Sequence, residues 1–316
     1  MNNLTISTVT TEQAFDALRQ SWTELYDQIS CLSPFSSFDW NRNWWKYFGS
    51  ASNKSLFILT IKLDEKLIGI APFYKTVKNG VNILRFISTG NADYLDLIVL
   101  PGREQDCITA LLTYLGTNSK LWDVLDLVDL PQTSPNYQIL SVQNMPALKK
   151  VVLSGLICPY IRSEKTYTEF LAGKSSNFRY DLKRKMKKAL ALGNISFELI
   201  RHSSPKIDIA TLASLYEKRW AAKDTNATIR TASGQKLLHE MLPIWEKQNI
   251  LAIPVIFLND KVMAFCVGFI RGERFYYYIP SFDPEFMNAS PGKLLVEFIV
   301  KHLNIWPITE LDFMKG

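Results

Sequence analysis

Apolar positions recur with a helical period over roughly 11–30, 38–48, 103–116, 165–192, 207–222, 232–247 and 291–304, which predicts helices there. Between them lie runs with the alternation or continuous apolarity of strands. In the first half these are FILTIKL (57–63), LIGIAPFY (67–74), NILRFIS (82–88), YLDLIVL (94–100) and WDVLDLVDL (122–130). In the second they are KKVVLS (149–154), ISFELIR (195–201), LAIPVIFL (251–258), VMAFCVGFI (262–270), RFYYYIPS (274–281) and TELDFM (309–314). Strands alternate with helices, yet tight hairpins also occur, so the expected class is α/β with mixed, α+β-like sheets.

The hairpins carry the organisation. The stretch 63-LDEKLIGIAPFY-74 reads strand, Asp-Glu turn, strand, and 258-LNDKVMAFCVGF-269 repeats the layout 195 residues later. Each is followed by a strand, a helix and another strand, which predicts a duplicated unit. The divide falls near residue 160, giving units 1–160 and 161–316.

The stretch 276-YYYIPSFDPEFMNASPGKLLVEFIVKHL-303 joins a tyrosine-rich strand to an amphipathic helix. A helix start leaves backbone N–H groups without partners and carries partial positive charge, so it attracts anions. Ser290 fits an N-cap, Pro291 the first turn, Gly292 removes a side chain, and Lys293 adds a formal charge. The same four residues also suit an ordinary helix start.

Composition narrows the classes. With 316 residues, 47% hydrophobic and 21% charged, the chain can bury two cores and is not disordered. No apolar run reaches membrane-spanning length, and MNNLTISTVTTEQAFDAL lacks signal-peptide character, so a cytoplasmic protein is expected. Cys31, Cys107, Cys158 and Cys266 form no CxxC and read as reduced, buried thiols. His202, His239 and His302 are too scattered for a metal site, so no metal is expected. No GxSxG elbow supports a serine hydrolase. The net charge of +6 is concentrated in one segment and suits an anionic ligand better than wholesale nucleic-acid coating.

The order of these pieces resembles the GNAT acyltransferase fold, in which the central strand leads into a pyrophosphate loop and a helix while the next strand splays away. More closely it resembles the tandem-GNAT family associated with cellulose and exopolysaccharide biosynthesis. The matching pieces are SSFDWNRNWWKYFG (36–49), YLDLIVLPG (94–102), FRYDLKRKMKKALALG (178–193), SLYEKRWAAK (214–223), the 276–303 stretch and ELDFMKG (310–316). The architecture is also similar to the Fem-type aminoacyltransferases of peptidoglycan synthesis. The resemblance implies two tandem GNAT-like units and an acyl-CoA donor, acetyl-CoA or longer, held at Ser290, Gly292 and Lys293. It implies an amine acceptor on a sugar, cell-envelope precursor or peptide. Two departures stand out: the glycine-rich phosphate loop of simple GNATs is reduced here to Ser-Pro-Gly-Lys, and the chain stops at Gly316 where such families usually continue. The N-terminal unit offers only Pro101-Gly102-Arg103 at the matching place and is expected to be a degenerate partner shaping the cleft, although Arg103 supplies a charge.

Acyl transfer to an amine needs a base, oxyanion donors and often an acid for the thiolate. Asp283, just past the strand, is the first choice for base or amine-positioning group, or it only initiates the Asp-Pro turn; Glu285 is a weaker choice. Tyr276 and Tyr278 point to one face and Tyr277 to the other. Tyr278 is the catalytic choice and Tyr276 a substrate contact. Asp312 and Lys315 lie at the expected splay, and Asp312 reads either as a site residue or as a partner for a neighbouring backbone group. In 174–193, Arg179, Lys183 and Lys187 share one helix face, with Tyr180, Arg184 and Lys188 beside it. They read either as a solvated face or as a clamp for a phosphorylated acceptor, an acidic polysaccharide or, less readily, tRNA. Trp40, Trp44 and Phe48 form a core stripe at helical spacing, and Trp45 is either core or sugar-stacking. Trp220 is either packing or cleft lining. Two other functions stay open: an aminoacyl-tRNA-dependent transferase, and a non-catalytic module that binds a polysaccharide or phospho-ligand.

Overall fold

A computed structural model describes residues 4–49, 53–143, 149–162, 166–202, 207–221, 228–306 and 308–315. The chain divides into two compact units, Met1–Leu156 and Ile157–Gly316.

The first unit runs β1 (Leu4–Val9), α1 (Glu12–Ala17), α2 (Arg19–Asp27), α3 (Phe38–Trp44), β2 (Lys54–Leu56), β3 (Ile58–Leu63), β4 (Lys66–Ala71) and β5 (Phe73–Lys78). It continues with β6 (Val81–Phe86), β7 (Ile98–Val99), α4 (Glu104–Thr117), β8 (Val124–Asp126) and α5 (Pro135–Val142). Its sheets have the orders β1-β3-β4-β7 and β2-β5-β6-β8. Trp40 and Trp44 are buried, as helical spacing predicts, with Phe35 edge to face against Trp40 at 4.8 Å. Trp45 is buried too, which removes it from any sugar-stacking surface. It opens a π-helical turn, Trp45–Gly49, and a Cβ at Gly49 would run into the Trp45 ring. Asp96 is buried in this unit and takes hydrogen bonds from Ser134 Oγ (2.5 Å), Asn136 Nδ2 (2.9 Å) and the Leu97 N–H (2.7 Å), tying α5 to the approach to β7.

The second unit contains β9 (Tyr160–Arg162), α6 (Tyr167–Ala172), α7 (Ser176–Leu190), β10 (Ile195–Ile200), α8 (Ile209–Trp220) and α9 (Ala232–Lys247). Then come β11 (Leu251–Leu258), β12 (Lys261–Arg271), β13 (Arg274–Phe282), α10 (Pro291–His302) and β14 (Glu310–Asp312). One sheet runs β10-β11-β12-β13-β14-β9. All pairs are antiparallel except β13–β14. One face carries α10 and α7, whose Leu294, Ile299 and Ala189 pack with Ala264, Cys266, Phe275 and Tyr277 of the sheet. On the other, Phe269 meets Tyr276 and Tyr278 at ring distances of 5.4 and 5.6 Å, so the tyrosines alternate as expected.

The repeat is visible in the pairing. In each unit a leading strand lies antiparallel to the first hairpin strand, β1 on β3 and β10 on β11. A later strand then pairs antiparallel with the second hairpin strand, β7 on β4 and β13 on β12. A helix follows each, α4 and α10. The fold is mixed α/β with two GNAT-like units. The units differ at the next step: β14 pairs parallel with β13, whereas β8 pairs parallel with β6.

Several expectations need correction. KKVVLS (149–154) forms no strand and Val151, Val152 and Leu153 are exposed, because an apolar run alone supplies no pairing partner. YLDLIVL shrinks to the two-residue β7, and β1, β2, β9 and α5 were not foreseen. Of the four cysteines only Cys107 and Cys266 are buried; Cys31 is exposed and Cys158 half-buried. The predicted 207–222 helix ends at Trp220, and residues 222–227 lie outside the described residues.

Candidate active site

The site grows from the end of β13. Its parallel ladder with β14 covers only Arg274↔Glu310, Phe275↔Leu311 and Tyr276↔Asp312. Beyond that the pairing stops while β13 runs on to Phe282, and no strand flanks Ile279–Phe282 on that side among the described residues. On its other side β13 carries a bulge: between Val267↔Ile279 and Phe269↔Tyr276 it places Tyr277 and Tyr278 against the single residue Gly268. A Cβ at Gly268 would stand 2.6 Å from the Tyr276 carbonyl oxygen and 3.2 Å from that of Ala252, so the bulge requires glycine there. The splay and the bulge thus lie on opposite edges of the same part of one strand.

Beyond Phe282 the chain makes a 3-10 turn over Pro284–Ala289, opened by Asp283, whose carboxylate accepts the Glu285 N–H at 3.0 Å. Ser290 then takes a left-handed conformation (φ 54°, ψ 56°), and α10 begins at Pro291. Ser290 holds the N-cap position, as the sequence suggests, but in a left-handed conformation and without a side-chain capping bond. The Lys293 N–H bonds the Ser290 carbonyl, while that of Gly292 has no acceptor among the described residues. A Cβ at Gly292 would meet only Phe282, at 3.7 Å, so packing does not demand glycine. Its absence of a side chain leaves room at the helix mouth.

Charge gathers at this mouth. Asp181 of α7 accepts Arg184 at 2.8 Å and Lys185 at 2.7 Å, with Lys293 at 3.5 Å. Those bonds hold the Asp181 carboxyl far below the usual carboxylate range, and burial lowers Lys185. Three cations therefore share one carboxylate beside the first turn of α10. The opening of α4 is the reverse: Glu104 and Asp106 occupy its first turn, and Arg103 pairs with Asp106 at 3.2 Å.

Of the basic stripe, Arg179 donates to the carbonyls of Leu171, Ala172 and Lys174, closing the end of α6, so it faces its own fold. Lys183 and Lys187 are exposed and form no ion pair among the described residues. Tyr276 is 3% exposed against Phe269 and Arg274, which withdraws it from substrate contact. Tyr278 is half-buried, its phenol 2.9 Å from Thr228 Oγ1. Asp312 stays buried, accepting the Met314 N–H at 2.7 Å and facing the Arg274 guanidinium at 3.7 Å.

Three groups were missed by sequence reasoning. Lys218 bridges Asp283 Oδ1 and Glu285 Oε1, each at 2.7 Å, and those bonds raise its pKa. Asp181 looked like an ordinary helix residue. Arg219 lies over the Phe282 ring at 4.1 Å and the Trp220 ring at 4.4 Å, which makes Trp220 part of a stack. The adjacency of Arg219 and Trp220 in EKRW was the available signal.

Residues 176–316 match the family model described as an acetyltransferase (GNAT) domain. That stretch covers most of the second unit and supports an acyltransferase of the GNAT type. The whole chain is similar in fold to FemX, with a TM-score of 0.58 and 11% identity over 98% of this chain and 88% of that one. A tandem GNAT protein from the clavulanic acid biosynthesis pathway gives a TM-score of 0.45 at 9% identity, over 98% of this chain and 89% of that one. The structure of L-PGS from Bacillus licheniformis gives 0.44 at 9%, over 84% and 66%. No curated protein matches the chain.

Proposed function

We propose that the chain is an N-acyltransferase that moves an acyl group from acyl-CoA to an amine on a sugar, cell-envelope precursor or peptide. The carrying observation is the end of the β13–β14 ladder at Tyr276↔Asp312, just before β13 delivers the chain to the mouth of α10. An extended pantetheine arm offers amide groups of the kind that pair with an open strand edge. The diphosphate would then meet the Gly292 N–H, the helix dipole and Lys293, with Lys185 and Arg184 beside them.

The transfer forms one C–N bond and breaks one C–S bond, and a proton passes from the amine to the departing thiolate. Asp283 suits the amine side: its Oδ1 is held by Lys218, and Oδ2 has no partner among the described residues. Tyr278, half-buried on the same strand, suits the thiolate side. The N-terminal unit, with acidic residues opening α4, reads as a degenerate partner. The exopolysaccharide association and a cytoplasmic setting belong to the same reading and rest on the sequence resemblance.

The test is a thermal-shift panel of acyl-CoAs on wild type and Gly292→Glu. At a hundredfold excess over Kd a ligand stabilises by about 2.7 kcal/mol. Stabilisation by an acyl-CoA that vanishes in the variant is expected; no shift with any acyl-CoA would remove the proposal. A second reading, an aminoacyl-tRNA-dependent transferase, draws on exposed Lys183 and Lys187 and on the FemX-like fold. Ribonuclease sensitivity and steep salt dependence of turnover would favour it.

A further inference from the structure

Arg219 is a half-buried cation with no counter-charge among the described residues. Its guanidinium is half-buried, and burial pulls its pKa down. It makes no ion pair and no hydrogen bond among the described residues; its contacts are the faces of Phe282 and Trp220. Its immediate neighbour Lys218 is neutralised twice over, by Asp283 and Glu285. A guanidinium stacked on aromatic faces is fixed in its plane with its N–H edges outward, the geometry that grips a carboxylate or phosphate through two parallel bonds. Desolvating such a group without a partner is unfavourable, which argues that a ligand completes it.

The position says which substrate. Phe282 ends β13, and its ring also borders the space above Gly292. The donor's diphosphate carries two negative charges, and the α10 mouth already balances them: Arg184, Lys185 and Lys293 exceed Asp181 by two. Arg219 belongs to α8, where its chain neighbour Lys218 holds Asp283, the residue assigned to the amine. We propose that Arg219 anchors an oxyanion, carboxylate or phosphate, on the acyl acceptor, so that the acceptor is an anionic amine. This rests on the transferase reading and specifies its substrate class.

The test uses the full chain and phenylglyoxal, which modifies open guanidinium groups, with Arg219 and the ion-paired Arg42 followed by peptide mass spectrometry. Matched probes are glucosamine against glucosamine 6-phosphate and alanine against alaninamide, with CoA, inorganic phosphate and succinate run separately. Expected is modification of Arg219 that slows at least threefold with the anionic member of a pair and not with its neutral partner. The protecting pair tells phosphate from carboxylate. In Arg219→Gln, binding of the protecting amine should weaken roughly 10- to 100-fold by calorimetry while stabilisation by acyl-CoA persists. An Arg219 that does not react overturns the proposal, as does equal protection by neutral and anionic amines, protection by CoA alone, or none from any anion. Loss of acyl-CoA stabilisation in wild type would instead count against the transferase reading, and is read separately.

Discussion

Lys218 Nζ lies 2.7 Å from Asp283 Oδ1, so the carboxylate at the end of β13 is aimed by a helix that precedes it by 65 residues of chain. Asparagine at 283 keeps an N-cap acceptor for the Glu285 N–H but removes the proton acceptor. Asp283→Asn is expected to lower turnover about 100-fold or more while leaving the melting temperature within a few degrees. Steady-state thiol release and a melting curve on the same preparation check this. Unchanged turnover would return Asp283 to a turn-forming role.

Asp181 is the lone carboxylate among three cations at the mouth of α10. Asp181→Asn should tighten CoA severalfold at low salt and steepen the salt dependence of binding, since the remaining field is more positive. The free protein should melt earlier, because Lys185 and Lys293 then repel without a mediator. Calorimetry at two ionic strengths measures the first effect; affinity that falls in the variant would place the anion elsewhere.

Gly268 sits across from the bulge, and its missing Cβ makes room for two backbone carbonyls. Gly268→Ala should destabilise the chain by about 1–3 kcal/mol, the range for overpacking a filled interior. It should also reduce turnover by more than stability explains, because Tyr278 rides on the displaced backbone. Urea midpoints and kcat at a temperature well below melting separate the two effects.

Burial pushes the Asp96 carboxyl from 3.8 up to about 6, against the opposing pull of Ser134, Asn136 and the Leu97 N–H. The folded chain thus holds this proton more tightly than the unfolded one. The stabilising contribution is complete below about pH 4 and is lost as pH rises through about 6, a swing on the order of 2–3 kcal/mol. Asp96→Asn cannot titrate, so the wild-type and variant urea midpoints should diverge across that window. A difference that stays constant with pH would refute the argument.

The sequence carried the second unit better than the first, for physical reasons. LAIPVIFL and the α9 segment keep one period from end to end, so β11 and α9 begin and end where the pattern does. YLDLIVL shows the same apolar density, but only Ile98 and Val99 find a partner strand. The helix mouth at Gly292 was legible because its signals are local. Arg219, Lys218 and Asp181 were not, because their meaning depends on what lies across from them. Tyr276 was misjudged in the same way: alternation gave its face, but not that Phe269 and Arg274 close over it.

A strand that outruns its neighbour leaves main-chain groups able to recruit any passing extended chain, including another copy of the same protein. The last residues of β13, Ile279–Phe282, have this character. The donor would therefore act as a removable seam as well as a reactant. Concentrated ligand-free protein should self-associate more readily than the same protein held with a non-hydrolysable thioether analogue of the donor.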